Sequence, residues 1–192
     1  MVSLDGVMQA PGGSKEDTAE GFKYGGWSMP YFDEAFSDIM DEELSVPFDM
    51  LLGRTTYEIF ARYWPKHPGS IGTPFDKATK YVVSDKGVEL TWKESILIDG
   101  DVVAKIKALK AEDGPSLQVH GSAKLLQTLL KNDLVDELRL RIFPITLGTG
   151  KRLFAEGTIP VAFELVESRT IPSGVIMANY KRAGEIKTDS FD

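Results

Sequence analysis

Two short segments, Leu51-Leu52-Gly53-Arg54-Thr55-Thr56-Tyr57-Glu58 and Leu117-Gln118-Val119-His120-Gly121-Ser122-Ala123-Lys124-Leu125-Leu126, constrain the fold most tightly. In each, an apolar run of strand length meets a glycine and then a polar residue of N-cap type that opens an apolar-periodic helix. Each segment therefore reads as a strand–turn–helix junction. A helix start carries uncommitted backbone N–H groups and a positive dipole end, so two such starts side by side can hold the phosphates of a dinucleotide. Neither segment is a G-x-G-x-x-G or Walker loop, so the standard nucleotide fingerprints are absent.

The 192 residues fit one sizeable domain, and 42% apolar content is ample for a sheet covered by helices. A net charge of −7 argues against a surface that tracks nucleic-acid phosphates and against attraction to anionic membranes. The chain has no cysteine, which removes a disulfide framework, a thiolate metal site and a cysteine nucleophile. With two histidines, His67 and His120, no metal site is expected. No apolar run reaches the roughly 18–20 residues of a membrane helix, and the N-terminus lacks signal-peptide character, so a cytoplasmic protein is the expectation.

Along the chain, Val7–Met29 is polar, aromatic and broken by Gly12-Gly13 and Gly25-Gly26, and reads as a long loop of the kind that often carries function. Helices are expected over Tyr31–Val46, Thr56–Tyr63, Val102–Ala111 and Ala123–Lys131, and strands at Met50–Leu52, Tyr81–Ser84, Ile96–Ile98 and Leu117–Val119. The segment Pro65–Pro74 reads as a turn. Alternating strands and helices indicate a mostly parallel sheet, while Leu138–Ile142, Ala162–Val166 and Val175–Tyr180 have period two with no helix between them and are expected as its antiparallel end. Ala183–Asp192 reads as a solvated tail.

Several strings match a known family in order: Val2-Ser3-Leu4-Asp5-Gly6-Val7-Met8, Leu52-Gly53-Arg54-Thr55-Thr56-Tyr57-Glu58, Tyr81-Val82-Val83-Ser84 and Gly121-Ser122. Leu134-Val135-Asp136-Glu137-Leu138-Arg139-Leu140 and Pro144-Ile145-Thr146-Leu147-Gly148-Thr149-Gly150-Lys151-Arg152-Leu153-Phe154 complete the set. The chain resembles the reductase domain of bifunctional riboflavin-biosynthesis deaminase-reductases, in its stand-alone form. The resemblance implies one α/β domain over residues 1–182 with the dihydrofolate reductase fold, its mixed, mostly parallel sheet ending in antiparallel strands and flanked by helices on both faces. It also implies an NADPH-dependent reductase that converts the sugar of a ribosylamino-pyrimidine to a ribitol chain, and a homodimer.

The same resemblance assigns the cofactor to Gly53, Arg54, Thr55, Thr56, Ser84, Gly121, Ser122, Ala123 and Leu125. The glycines would permit close approach, Thr55 or Thr56 would cap its helix and offer a hydroxyl, Arg54 would pair with a phosphate, and Ser84 would lie near the adenosine ribose or its 2′-phosphate. Asp5 would orient the substrate or relay a proton. Trp27, Tyr31 and Phe32 would wall the pocket, with Asp33 as a second acid, and Gly150 and Lys151 would supply a turn and a cation for a substrate phosphate. Two departures stand out. Asp85 follows Ser84, where a cation would help hold a 2′-phosphate, so NADH stays open beside NADPH. Only Met1 precedes Val2, where the family carries a longer strand, so the natural protein is expected to begin earlier.

Structural readings stand beside these. Asp5-Gly6 is a common turn pair, Asp33 suits a helix first turn, the aromatics suit packing and Lys151-Arg152 a solvated turn. His120 reads as a packed imidazole and His67 as exposed. Beside the riboflavin-pathway reductase stand a dihydrofolate- or pterin-type reductase and a nucleotide-binding module without turnover.

Overall fold

The computed structural model describes residues 1–156 and 158–190, and these form two compact units. One comprises Met1–Asp33 with Leu129–Asp192, the other Glu34–Thr128. The strands pair in two four-stranded sheets, where the sequence suggested one sheet with an antiparallel end.

The second unit carries β2 (Phe48–Gly53), β3 (Lys80–Val83), β4 (Ser95–Ile98) and β5 (Ser116–Gln118). They lie in the order β4-β3-β2-β5, parallel throughout. Helices make two of the three connections: α2 (Arg54–Tyr63) and α3 (Gly72–Lys77) follow β2, and α4 (Val102–Lys110) follows β4, while β3 reaches its parallel neighbour β4 through the non-helical residues 84–94. The helix α1 (Glu34–Leu44) precedes the sheet and ends before Pro47, shorter than its apolar spacing suggested. Met50, Leu52, Tyr57, Phe75, Val82 and Trp92 make the core of this unit. At roughly 25 cal/mol per Å² of apolar surface removed from water, these side chains are its main source of stability.

The helix α3 was missed. Pro74 in its first turn looks like a breaker in sequence, yet the first turn is where proline's missing N–H costs nothing, and the turn it permits buries Phe75. The helix α5 (Ala123–Lys131) matches its expected bounds.

In the other unit β1 (Val2–Ser3) runs parallel to β6 (Glu137–Phe143), which pairs antiparallel with β8 (Ile176–Gly184) and through it with β7 (Ala162–Thr170). The β8 strand runs two residues into the segment expected as tail. Residues 12–26 form a looped excursion closed at its neck. Gly25 lies so near the backbone of Gly13 and Ser14 that an added Cβ would stand 2.6 Å from the Gly13 carbonyl, which explains why glycines face each other there. Glu16 Oε2 accepts the N–H groups of Gly12 and Gly13, and the Gly26 N–H is donated to the Ala10 carbonyl. No helix among the described residues is long and apolar enough to cross a membrane.

Candidate functional site

The two junctions meet. Gly53 N–H donates to Ser122 Oγ at 2.9 Å, and Ser122 N–H donates to Thr56 Oγ1 at 3.1 Å, joining positions 69 and 66 residues apart. The local chain geometry is what makes this reciprocal bracket possible. Gly121 at φ +70° and Ser122 at φ +60° are both left-handed, which turns the Ser122 amide toward Thr56. Such a φ costs a non-glycine residue roughly 1 kcal/mol, which the two hydrogen bonds made by Ser122 offset.

Gly53 is the N-cap residue of α2, and no side chain caps that helix among the described residues. This corrects the expectation that Thr55 or Thr56 caps it. Thr56 sits inside the first turn, and its hydroxyl oxygen is taken by the Ser122 amide. The first amides of α2 thus keep the orphan character of an uncapped helix start. Each of the two hydroxyls accepts a backbone N–H, and neither donates to a protein acceptor among the described residues. Their protons, with the α2 amides, make a group of donors suited to an acceptor-rich ligand such as a diphosphate.

The cradle has room. A Cβ added at Gly121 would meet only Thr56, at 3.6 Å, and one at Gly53 would meet Ser122 at 3.5 Å and Leu125 at 3.7 Å. Leu125 is buried beneath Gly53, so it shapes the floor rather than offering a contact surface, and Ala123 opens α5 directly after the bracket. The Arg54 and Thr55 side chains face solvent, and Arg54 lies 4.0 Å from Glu58 one turn on. Because Gly53 is the register partner of Val83, Ser84 leaves β3 beside the start of α2. It is 5% exposed, and its hydroxyl donates to the Gly87 carbonyl at 3.0 Å, closing a tight turn.

The candidates of the first unit are occupied differently. Asp5 Oδ1 accepts from Ser3 Oγ at 2.6 Å and from the Leu147 amide at 3.0 Å, and Oδ2 accepts from the Gly148 amide at 2.8 Å. Arg152 stands 3.7 Å from Oδ2 and donates to the Asp5 carbonyl. Led by the Ser3 hydrogen bond, these donors hold the Asp5 carboxyl down at about 2. The carboxyl is therefore ionised at neutral pH, and both of its oxygens are taken as acceptors within the protein. It clasps the turn after β1 to the 147–148 loop.

Trp27 is 6% exposed, packs edge-on against Phe143 at 5.3 Å and gives its indole N–H to the Gln9 carbonyl. It is core rather than pocket wall. Tyr31 also meets Phe143 edge-on, at 5.8 Å, and Phe32 is half-buried. Asp33 precedes α1 rather than lying on it, and its Oδ2 accepts the Ser173 amide at 3.1 Å. Lys151 is not a spare cation: Nζ reaches Asp17 Oδ2 at 2.5 Å. Gly150, at φ +115°, is packed so that a Cβ would stand 2.8 Å from Val7 and Phe22, and it therefore serves packing rather than a flexible turn.

Several organising residues escaped the sequence reading. Gln9, 3% exposed, donates Nε2 to the Asp17 and Ala19 carbonyls and accepts the Lys151 amide, so one buried amide holds the loop's head. Lys80 is fully buried, donates to the Asp76 and Lys93 carbonyls and lies 4.3 Å from the centre of the Trp92 ring. Burial lowers its ammonium to about 8. Nothing local in sequence marks either residue. His120 is a packed ring between Phe48 and Phe75, and His67 is exposed and stacked on Tyr63, both as expected. No group of side chains suited to a metal ion occurs among the described residues.

Comparison with known proteins agrees with this frame. The chain is similar to two proteins of Bacillus subtilis, both described as uncharacterized. It is 27% identical to YyaP over 184 residues (93% of this chain, 90% of YyaP) and 28% identical to YwjB over 182 residues (95% and 94%). Among solved structures it resembles a putative riboflavin biosynthesis protein from Shewanella sp. PV-4, with TM-score 0.65, 23% identity and 94% of each chain covered. It also resembles a pyrimidine reductase-like protein from Corynebacterium diphtheriae, with TM-score 0.59, 14% identity and 96% and 90% covered. Dihydrofolate reductase from Enterococcus faecalis, solved with NADP(H), gives TM-score 0.60 at 15% identity, with 95% and 92% covered. These likenesses show the dihydrofolate reductase-like α/β fold. The RibD C-terminal domain profile matches residues 1–177, nearly the whole chain, and the protein belongs to that family.

Proposed function

We propose that this protein is a nicotinamide-nucleotide-dependent reductase of riboflavin-biosynthesis type, whose substrate is 5-amino-6-(5-phosphoribosylamino)uracil or a close relative. NADPH is the donor that the resemblance implies, with NADH the alternative. The observation that carries the reading is the Gly53–Ser122–Thr56 bracket, which leaves two hydroxyl protons and the uncapped start of α2 available to one acceptor-rich ligand. When bound, the nicotinamide supplies a hydride, and hydride transfer asks of the protein alignment and a dry pocket rather than a nucleophile. A chain with no cysteine and two structural histidines is suited to that task.

The residues divide the work. Gly53 and Gly121 keep the cradle open, Thr56 and Ser122 donate to phosphate oxygens, and the exposed Arg54 adds a guanidinium. Asp5, ionised, fixes the 147–148 loop. The proton that accompanies the hydride then comes from water or from the substrate's own groups.

The test is loss of nicotinamide absorbance with the ribosylamino-uracil phosphate, run beside a dihydropterin and a no-substrate control, together with cofactor titration. Oxidation with the first compound supports the proposal, and oxidation with the dihydropterin alone assigns a pterin-type reductase. Binding without oxidation of either assigns a binding module. The proposed homodimer is checked by sedimentation velocity of the same preparation.

A further inference from the structure

The exit of β3 bears on which nicotinamide cofactor fits, given the function proposed above. In parallel sheets of this kind a ligand lies outside the carboxyl ends of the strands, and a carboxylate at the neighbouring strand's end suits a ribose diol whereas a cation suits a 2′-phosphate. Here the register pairing of Gly53 with Val83 fixes which residues those are: the residues that follow, Arg54 and Ser84, leave the sheet as neighbours. Beyond Ser84 the chain closes a turn at Gly87, φ +72°, which exposes Asp85 and Lys86.

Three features of this exit disfavour a phosphate. Ser84 is buried and has spent its single hydroxyl proton on the Gly87 carbonyl, so it has no proton left for a phosphate oxygen. Asp85 makes no ion pair among the described residues, so its charge acts on whatever approaches the turn and cancels that of Lys86 beside it. The remaining cation, Arg54, has Glu58 4.0 Å away. Arg54, Glu58, Asp85 and Lys86 together carry no net charge, against about two negative charges on a 2′-phosphate.

We propose that Asp85 is a specificity-determining residue that discriminates against the 2′-phosphate, so that this chain binds NADH at least as tightly as NADPH. Replacing the carboxylate with the isosteric amide keeps the turn, since asparagine is as suited to it as aspartate, and removes only the charge.

The experiment is fluorescence titration of the full chain and its Asp85→Asn and Asp85→Arg variants with NADPH and with NADH, at low salt and at roughly 0.5 M salt. The expected result is that Asp85→Asn tightens NADPH roughly tenfold while NADH moves less than twofold. Asp85→Arg should extend the change, and high salt should shrink it. If the unaltered protein binds NADPH measurably more tightly than NADH, or if Asp85→Asn moves both nucleotides alike, the proposal is overturned and the reductase reading stands. If neither dinucleotide binds, the reductase reading falls and this proposal with it.

Discussion

The two groups of candidate residues contain similar chemistry and use it in opposite ways. Around Gly53 and Ser122, backbone amides fill the hydroxyl lone pairs and leave the protons unspent. Around Asp5 and Lys151, side chains are spent on the protein itself: Asp5 on Ser3, Leu147 and Gly148, Lys151 on Asp17, Trp27 on Gln9. The lesson is that residue type and motif mark a place, while the direction of its hydrogen bonds decides whether that place serves a ligand or the scaffold.

That contrast can be broken most severely at Gly150. Gly150→Ala puts a Cβ 2.8 Å from Val7 and Phe22 at a left-handed φ, and should cost about 3 kcal/mol by overpacking and strain, read as a lower denaturant midpoint. Nucleotide affinity of the folded fraction should not change. Asp5→Asn should cost ~2 kcal/mol, the scale of hydrogen bonds to a charged group. The Asp5 carboxyl is held below its ordinary 3.8, so its contribution is complete above about pH 4 and is lost as pH falls toward 2. The acid limb of a stability profile should therefore flatten in the Asn variant. If instead stability is untouched and turnover collapses, Asp5 belongs with the chemistry and the contrast fails.

Gly121→Val sharpens the other side. Its Cβ clears the protein, so the fold should survive at a cost of about 2 kcal/mol, since a β-branched residue is strained at a left-handed φ, while nucleotide affinity drops tenfold or more. Unchanged affinity in a titration would remove the loop from the site. The smallest effect is expected at Lys151→Ala, ~0.5 kcal/mol and salt-dependent, as for other partly exposed ion pairs. A rise in KM confined to phosphorylated substrates would return Lys151 to substrate binding.

Much of this frame was legible in the chain. The α5 bounds and the β3 and β4 strands followed from periodicity, and the junctions at Gly53 and Gly121 from glycine followed by a polar residue. That the two junctions would lock through Ser122 was not legible, because the contact needs two consecutive left-handed residues and a partner 66 residues away. The partners of Asp5 and Lys151 were hidden for a related reason. A carboxylate and an ammonium look equally available in a sequence whether or not Leu147, Gly148 and Asp17 have claimed them. Lys80 reads as a surface residue at a strand start, and only the carbonyls of Asp76 and Lys93 beside the Trp92 ring explain its burial.

The bracket between Gly53, Thr56 and Ser122 has a consequence in time as well as space. Its two halves follow the neighbouring strands β2 and β5 but lie 66 to 69 residues apart in the chain, so the seat for a ligand comes into existence only when that long-range pairing has formed. Any molecule held there then recognises completed chains in preference to half-formed ones. By mass action it also lowers the population of the opened unit, and the cell's supply of that molecule becomes part of what keeps the unit intact.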